Sequence, residues 1–248
     1  KTAYEMVAVT GVQTCALPIY AGSLRAARHR SIQLVVLEEA IRRDAVSQGL
    51  IQAERSVAWP HPVNLSEIHR PGPRAPGPLR IGFLGSAHRD KGFGDFLALA
   101  RRFAGGPCEF RHVGGVVGDF PAEGLALVGA RPGFLDRAEY LRRLRELDYV
   151  CLPLDPSVYG LTVSGAVLDA GAAEIPLLAY RTPILADMAG GGPLGVLCDG
   201  LEAMAAALAD PAVLADPAWI ERCRATLRSH RERRSPEALA EIVRPSLA

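Results

Sequence analysis

No stretch of the sequence approaches the ~20 consecutive apolar residues that a membrane-crossing helix needs, so the chain is expected to be soluble or at most peripheral to a membrane. It also lacks an excess of either charge. Its 28 basic side chains face 27 acidic ones, a net charge of +1, which gives no electrostatic case for DNA or RNA as a partner. Cysteine pairs are missing too: Cys15, Cys108, Cys151, Cys198 and Cys223 are scattered, odd in number and without a C-x-x-C. That pattern fits reduced thiols in a cytoplasmic protein better than a disulfide framework or a zinc cluster. The six histidines are dispersed, so no metal is expected. No G-x-S-x-G is present from which a Ser-His-Asp hydrolase could start. "GGGPLG" at residues 190–195 fits G-x-G-x-x-G by letters but precedes a strand instead of opening a helix, so it reads as a loop.

What is present is a chain of 248 residues, 49% apolar, enough for one large domain or a domain plus part of another. Residues 9–19, "VTGVQTCALPI", match a reading frame of a common sequencing adapter letter for letter. Residues 1–19 are therefore set aside as an expected artefact, with the natural sequence before Tyr20 missing. The bland alternative is an apolar segment or a signal peptide broken by Gly11 and Gln13.

"IQLVVLEEAIRRDAVSQGL" starts as a strand, turns helical at Glu38 and stops at Gly49, and "SVAWPHPV" follows as another strand. Residues 20–63 thus end in a β-α-β unit, and the Pro-Gly steps of residues 64–79 mark a linker. From residue 80 the pattern alternates. Strands are expected at Arg80–Leu84, Glu109–Val113, Leu125–Val128, Tyr149–Leu152, Pro176–Tyr180 and Gly195–Cys198. Apolar stripes on Phe93, Phe96, Leu97 and Ala100, on Tyr140, Leu141, Leu144 and Leu147 behind an Asp136 N-cap, and on Leu201, Met204, Ala205 and Leu208 predict helices between them. The rhythm predicts an α/β fold with a doubly wound parallel sheet over residues 80–215. Residues 216–248 read as arginine-rich helices, their arginines forming a solvated face.

In such a sheet ligands gather where strand carboxyl ends meet helix starts. Two stretches qualify. "GFLGSAHRDKGFGDF" joins a strand to a helix through Gly85, Ser86 and Gly92, with Lys91 as a point charge beside helix amides that can receive an anion. In "DPSVYGLTVSGAVLDAGAAEIPLLAY", Ser164 is an N-cap, Gly165 admits a phosphate to the backbone, and Asp169 could accept hydrogen bonds from a ribose diol. An ordinary βα turn with a surface lysine, and a carboxylate serving only the helix dipole, are the plainer readings.

Together these stretches resemble the C-terminal, nucleotide-sugar-binding domain of GT-B glycosyltransferases, closest to the family 4 and family 1 group, over about residues 33–235. "GFLGSAHRDKGFGDFLALA" resembles the opening strand, glycine loop and K-G helix start. "RPGFLDRAEYLRRLRELDYVCLPL" resembles the base-binding loop, its helix and the strand ending in proline. "SGAVLDAGAAEIPLLAY" resembles the E-A-x-A-x-G-x-P-V signature. The resemblance implies a Rossmann-like donor domain (80–215), a remnant of the acceptor domain (20–63) and C-terminal helices (216–248). It implies transfer of a sugar from a UDP- or GDP-linked donor to an unknown glycan, lipid or small-molecule acceptor, without cofactor or metal and with retention of configuration; the truncated chain itself is expected to be inactive. Carried over, Gly85, Ser86, Lys91, Ser164 and Gly165 would bind the diphosphate, with Lys91 catalytic. Asp169 would hold the ribose, and Gly133, Phe134 and Leu135 the base. The chain departs from the pattern at Ser86, where an arginine is usual, at Leu161 and Asp169 in place of glutamates, and at Glu174 in place of glycine. His88 or Arg89 would then supply the missing charge and Tyr159 would cover the donor sugar. A GT-B-like module that binds a nucleotide or a protein without catalysis stays open as the alternative; a Rossmann oxidoreductase is disfavoured by the absent dinucleotide fingerprint.

Overall fold

The computed structural model describes residues 5–9, 32–63, 76–160 and 162–247. Strands β1 (Glu5–Val9), β2 (Ile32–Leu37) and β3 (Ser56–Trp59) form a parallel sheet in that order, with helix α1 (Glu39–Ser47) crossing from β2 to β3. Gly49, at φ 64°, closes α1 as the sequence predicts. Strand β1 lies among the residues set aside at sequence level. The adapter-like string beyond Val9, Cys15 and linker residues 64–75 lie outside the described residues.

The second sheet contains β4 (Leu79–Leu84), β5 (Cys108–Val113), β6 (Tyr149–Leu152), β7 (Leu177–Tyr180) and β8 (Gly195–Cys198), all parallel, in the order β5-β4-β6-β7-β8. Helices α2 (Phe93–Arg102), α3 (Ala122–Leu127), α4 (Arg137–Leu144), α5 (Pro156–Tyr159), α6 (Gly165–Ala172), α7 (Pro183–Met188) and α8 (Leu201–Ala209) connect and flank these strands. The strands are apolar on both sides. Tyr149 and Cys151 of β6 enter a core with Phe83, Phe93, Phe96, Met204 and Leu208. Val150 and Leu152 enter the opposite one, with Leu144, Val167, Leu168, Ile184 and Leu227. Period-two alternation between two buried faces is what a sheet covered by helices on both sides requires. The expected doubly wound parallel sheet is therefore present.

Two expectations are corrected. Leu125–Val128 is not a strand: Leu125–Leu127 close helix α3. Gly124 lets that helix lie against α2, where an added methyl would meet Leu97 Cδ1 at 3.3 Å and Arg101 Nη2 at 2.8 Å. A four-residue apolar run such as Leu125–Val128 has no period that separates strand from helix. After α9 (Pro211–Ala215), the arginine-rich tail forms α10 (Pro217–Arg233) and α11 (Pro236–Leu247), but its arginines are not all solvated. Arg234, 5% exposed, donates from Nη2 to both carboxylate oxygens of Glu38 at 2.9 and 2.8 Å. The same carboxylate accepts the His61 N–H at 2.8 Å. Arg228 and Arg231 hold the buried Glu174 carboxylate at 2.9 and 3.4 Å. The tail thus locks onto both sheets. Among the described residues no helix is long and apolar enough to cross a membrane.

Candidate functional site

The strand order puts β5 on one side of β4 and β6 on the other, so connections leave the β4–β6 pair in opposite directions. Such a switch point opens a crevice at the carboxyl ends of the two strands, lined by the helix starts that follow them. The segments singled out in the sequence follow β4 and β6, the strands on either side of this point.

After β4 the chain turns at Gly85 (φ 89°), and Ala87 pairs with the segment following β5 through Ala87 N–H to Gly115 O (2.8 Å) and Val117 N–H to Ala87 O (3.0 Å). His88 caps the Arg89–Lys91 3-10 turn by accepting the Asp90 N–H at 3.3 Å. Gly92, in the left-handed region at φ 73°, then opens α2. An added methyl on Gly92 would sit 1.8 Å from the carbonyl oxygen of Pro153, just beyond β6. The two loops therefore touch, backbone to backbone.

Lys91 folds back over this turn: its Nζ lies 3.7 Å from where a methyl on Gly85 would be. Among the described residues no carboxylate pairs with it. Burial without a counter-charge lowers its pKa from the ordinary lysine value. Ser86 is half-buried, and Arg89 is exposed. Tyr159 is buried at 8% exposure, and burial first, then Asp90, raises its pKa.

The base-binding candidates meet the turn after β5, which itself meets Gly85. Methyls on Gly114 and Gly115 would lie 2.0 Å from Gly85 O, 2.5 Å from Gly133 O and 2.9 Å from Phe134 Cδ1. Phe134 is 79% exposed, whereas Leu135 packs against the α4–α6 core. Asp136 caps α4 by accepting the Glu139 N–H at 2.8 Å, as its position in the sequence suggests.

Ser164 stands at the N-cap of α6, but its side chain makes no capping bond, and Gly165 is exposed with open space around it. Asp169 is engaged. Tyr140 Oη donates to its Oδ2 at 2.8 Å, and Arg137 donates to both oxygens at 3.4 and 3.3 Å. Burial first, then the Asp169 charge, pushes the Tyr140 hydroxyl pKa well up, so it stays a donor. Leu161 lies outside the described residues.

The structure thus brings together Gly85, Lys91, Gly133 and Phe134, and links Asp169 to the same α4 entrance. Sequence reasoning missed Arg137 and Tyr140, the Gly92–Pro153 contact, and the Gly114–Gly115 pair. That pair had a signal: "HVGG" repeats, at the end of β5, the strand-to-glycine step of "FLG" at the end of β4. Among the described residues no three His, Cys or carboxylate side chains are placed to hold a metal ion.

No protein-family model matches the sequence, and no curated protein matches it. Solved structures do match. Sucrose-phosphate synthase from Thermosynechococcus elongatus superposes with a TM-score of 0.72 at 15% identity, over 98% of this chain and 66% of that one. Anabaena HepE, solved in complex with UDP-glucose, gives 0.71 at 13% identity over 98% and 71%. A glycosyltransferase from Rickettsia africae gives 0.66 at 11% identity over 96% and 68%. The chain spans about two thirds of the length of these proteins. With its parallel five-stranded sheet and flanking helices, this chain has the GT-B fold seen in those glycosyltransferases.

Proposed function

We propose that the chain is the donor-binding part of a glycosyltransferase that moves a sugar from a UDP- or GDP-linked carrier to an acceptor, with retention of anomeric configuration. One observation supports this above the others: Lys91 is a half-buried cation with no carboxylate partner among the described residues, lying over a positive-φ glycine at the sheet's switch point. Such a cation is poised for an anion, and a helix start beside it, here that of α2, favours negative charge. HepE's complex with UDP-glucose suggests a nucleotide sugar as the anion's source. The four described cysteines are buried and free, which supports a cytoplasmic setting.

When the anomeric C–O bond breaks, the electron pair leaves with the diphosphate, and the new charge appears on its outer phosphate. In this reading Lys91 and the amides around Gly85 and Gly165 meet that charge, while Asp169, already oriented by Tyr140 and Arg137, offers an oxygen lone pair to the ribose. Gly133 and Phe134 border the base.

Calorimetric titration of the chain with UDP, GDP and NADH tests the reading. UDP or GDP should bind and NADH should not. Lys91→Ala should weaken the diphosphate at least tenfold and leave uridine or guanosine unchanged. In a form of the enzyme that turns over, the same variant should lose about 10²-fold or more in kcat, the usual cost of removing one preorganised donor. Equal affinity of parent and variant for the diphosphate would remove Lys91 from the site.

A further inference from the structure

We propose that His112 is a positioning residue for the diphosphate loop: its neutral ring holds the Gly85 carbonyl and thereby aims the Ser86 amide into the crevice. This rests on the donor-binding reading of that loop.

His112 is the fifth residue of β5, 3% exposed, and its ring is walled by Phe93 and Phe83 at centroid distances of 5.1 and 6.0 Å. Its Nε2 lies 2.9 Å from Gly85 O. A carbonyl oxygen carries no proton, so Nε2 must donate, which fixes the tautomer of a neutral ring. Nδ1 is then a bare acceptor, and it has no hydrogen-bond partner among the described residues. The strand ladder does not account for the contact, because Gly85 meets it through its own N–H, donated to Val113 O at 2.9 Å.

Peptide geometry gives the contact its consequence. In a trans peptide the C=O of one residue and the N–H of the next point in opposite directions. With the Gly85 carbonyl fixed toward the buried His112 ring, the Ser86 N–H faces away from that core. Among the described residues that N–H makes no backbone hydrogen bond. It belongs to the same turn over which the Lys91 ammonium lies. A free amide and a cation on one turn form an anion cradle. Gly85, at φ 89°, is also the residue most able to let the adjoining peptide rotate. Without a donor at position 112 the carbonyl loses its only hydrogen-bond partner among the described residues, and rotation would turn the amide away from a phosphate.

The departure at Ser86 fits this arrangement. If the backbone amide is the phosphate ligand, residue 86 needs no charged side chain.

The test compares His112→Phe and His112→Gln with the parent. Phenylalanine keeps a ring in the aromatic wall and removes the donor; the glutamine amide retains an N–H of similar reach. Each protein is titrated with UDP and GDP, and with uridine and guanosine, after near-UV circular dichroism confirms the fold. Expected is a loss of at least tenfold in diphosphate affinity for His112→Phe, near-parental affinity for His112→Gln, and unchanged nucleoside affinity in both. His112→Leu serves in place of His112→Phe if that variant does not fold. Parental diphosphate affinity without the donor overturns the role of His112 and leaves the donor reading standing, as does a glutamine variant as weak as phenylalanine. A parent chain that binds neither UDP nor GDP overturns the donor reading itself, and this proposal with it.

Discussion

Replacing Gly92 with alanine should do disproportionate damage for one methyl group. Gly92 sits at φ 73°, ψ 21°, where an L-residue costs about 1–2 kcal/mol more than glycine. The methyl would also lie 1.8 Å from Pro153 O and 2.7 Å from Pro153 C. Both are backbone atoms at the end of a central strand, so no rotamer change relieves the contact. The loop must move by more than 1 Å, and overpacking of this kind typically costs another ~1–3 kcal/mol. Lower entropy of the unfolded chain returns less than ~1 kcal/mol. A net loss of about 3 kcal/mol corresponds to a fall in Tm of ~6–12 °C for a chain of this size. Because Lys91 is the adjacent residue, UDP or GDP affinity should fall at least tenfold as well.

Gly94→Ala is the matched control. It lies two residues on, is exposed, and has nothing within 4 Å of an added methyl. There the change should be neutral or stabilising by ~0.5–1 kcal/mol, the ordinary helix preference for alanine. Differential scanning calorimetry on both variants, followed by nucleotide titration, decides the matter. A Gly92→Ala protein melting within 2 °C of the parent would mean that the loop after β4 does not rest on β6, and the shared crevice would go with it.

Acid should weaken the fold through two histidines. His112 is held below its ordinary pKa by burial first and then by Arg143, against the opposing bond to Gly85; His230 is held down by burial and then by Arg234. The unfolded chain therefore binds more protons as pH falls through ~6.5, so stability drops below that point and these two groups contribute no slope above it. Urea midpoints at pH 7.5 and 5.5 should converge in a His112→Gln, His230→Gln double variant, and an unchanged gap would refute the assignment. Removing Arg234 with alanine should cost ~3–5 kcal/mol by leaving the Glu38 carboxylate buried without its guanidinium. Arg231→Ala, at a site 29% exposed, should cost far less, and similar urea midpoints for the two would contradict the latch.

Much of the second sheet was legible because its strands are short aliphatic runs bounded by glycine, proline or aspartate. "YVCLP" and "GVLCDG" leave little else for those residues to be. Helices α2 and α8 were legible because their stripes run for two turns. Helix α3 was not, since a run as short as "AEGLALV" lacks a period. Arg234 was illegible for a different reason: its burial depends on Glu38, 196 residues away, and no local pattern encodes that. The candidate site divides in the same way. Gly85, Lys91 and Ser164 show as punctuation between strand and helix. Tyr140 and Arg137 read only as parts of a helix stripe and a basic run until the fold sets them against Asp169. His112 looked like one more dispersed histidine, because its partner is a backbone carbonyl, which leaves no trace in residue letters.

The departures from the GT-B pattern are not equal once the backbone is known. Glu174 replaces a glycine, and it stands at φ 56°, the conformation a glycine would adopt without strain. The strain is offset where it arises, by Arg228 and Arg231 reaching from α10 to a carboxylate only 4% exposed. The turn from α6 into β7 keeps the path that a glycine would give it, and the exchange stays on the side of the sheet that meets the C-terminal helices. Ser86 is a departure of another kind, since it lies in the loop beside Lys91. There the side chain differs, while the amide lies between Gly85 and Ala87, both tied to the chain that ends β5. A pattern written in side chains counts both positions as losses. A pattern written in backbone directions would count neither, because φ is positive at the first and, among the described residues, the N–H at the second makes no backbone hydrogen bond.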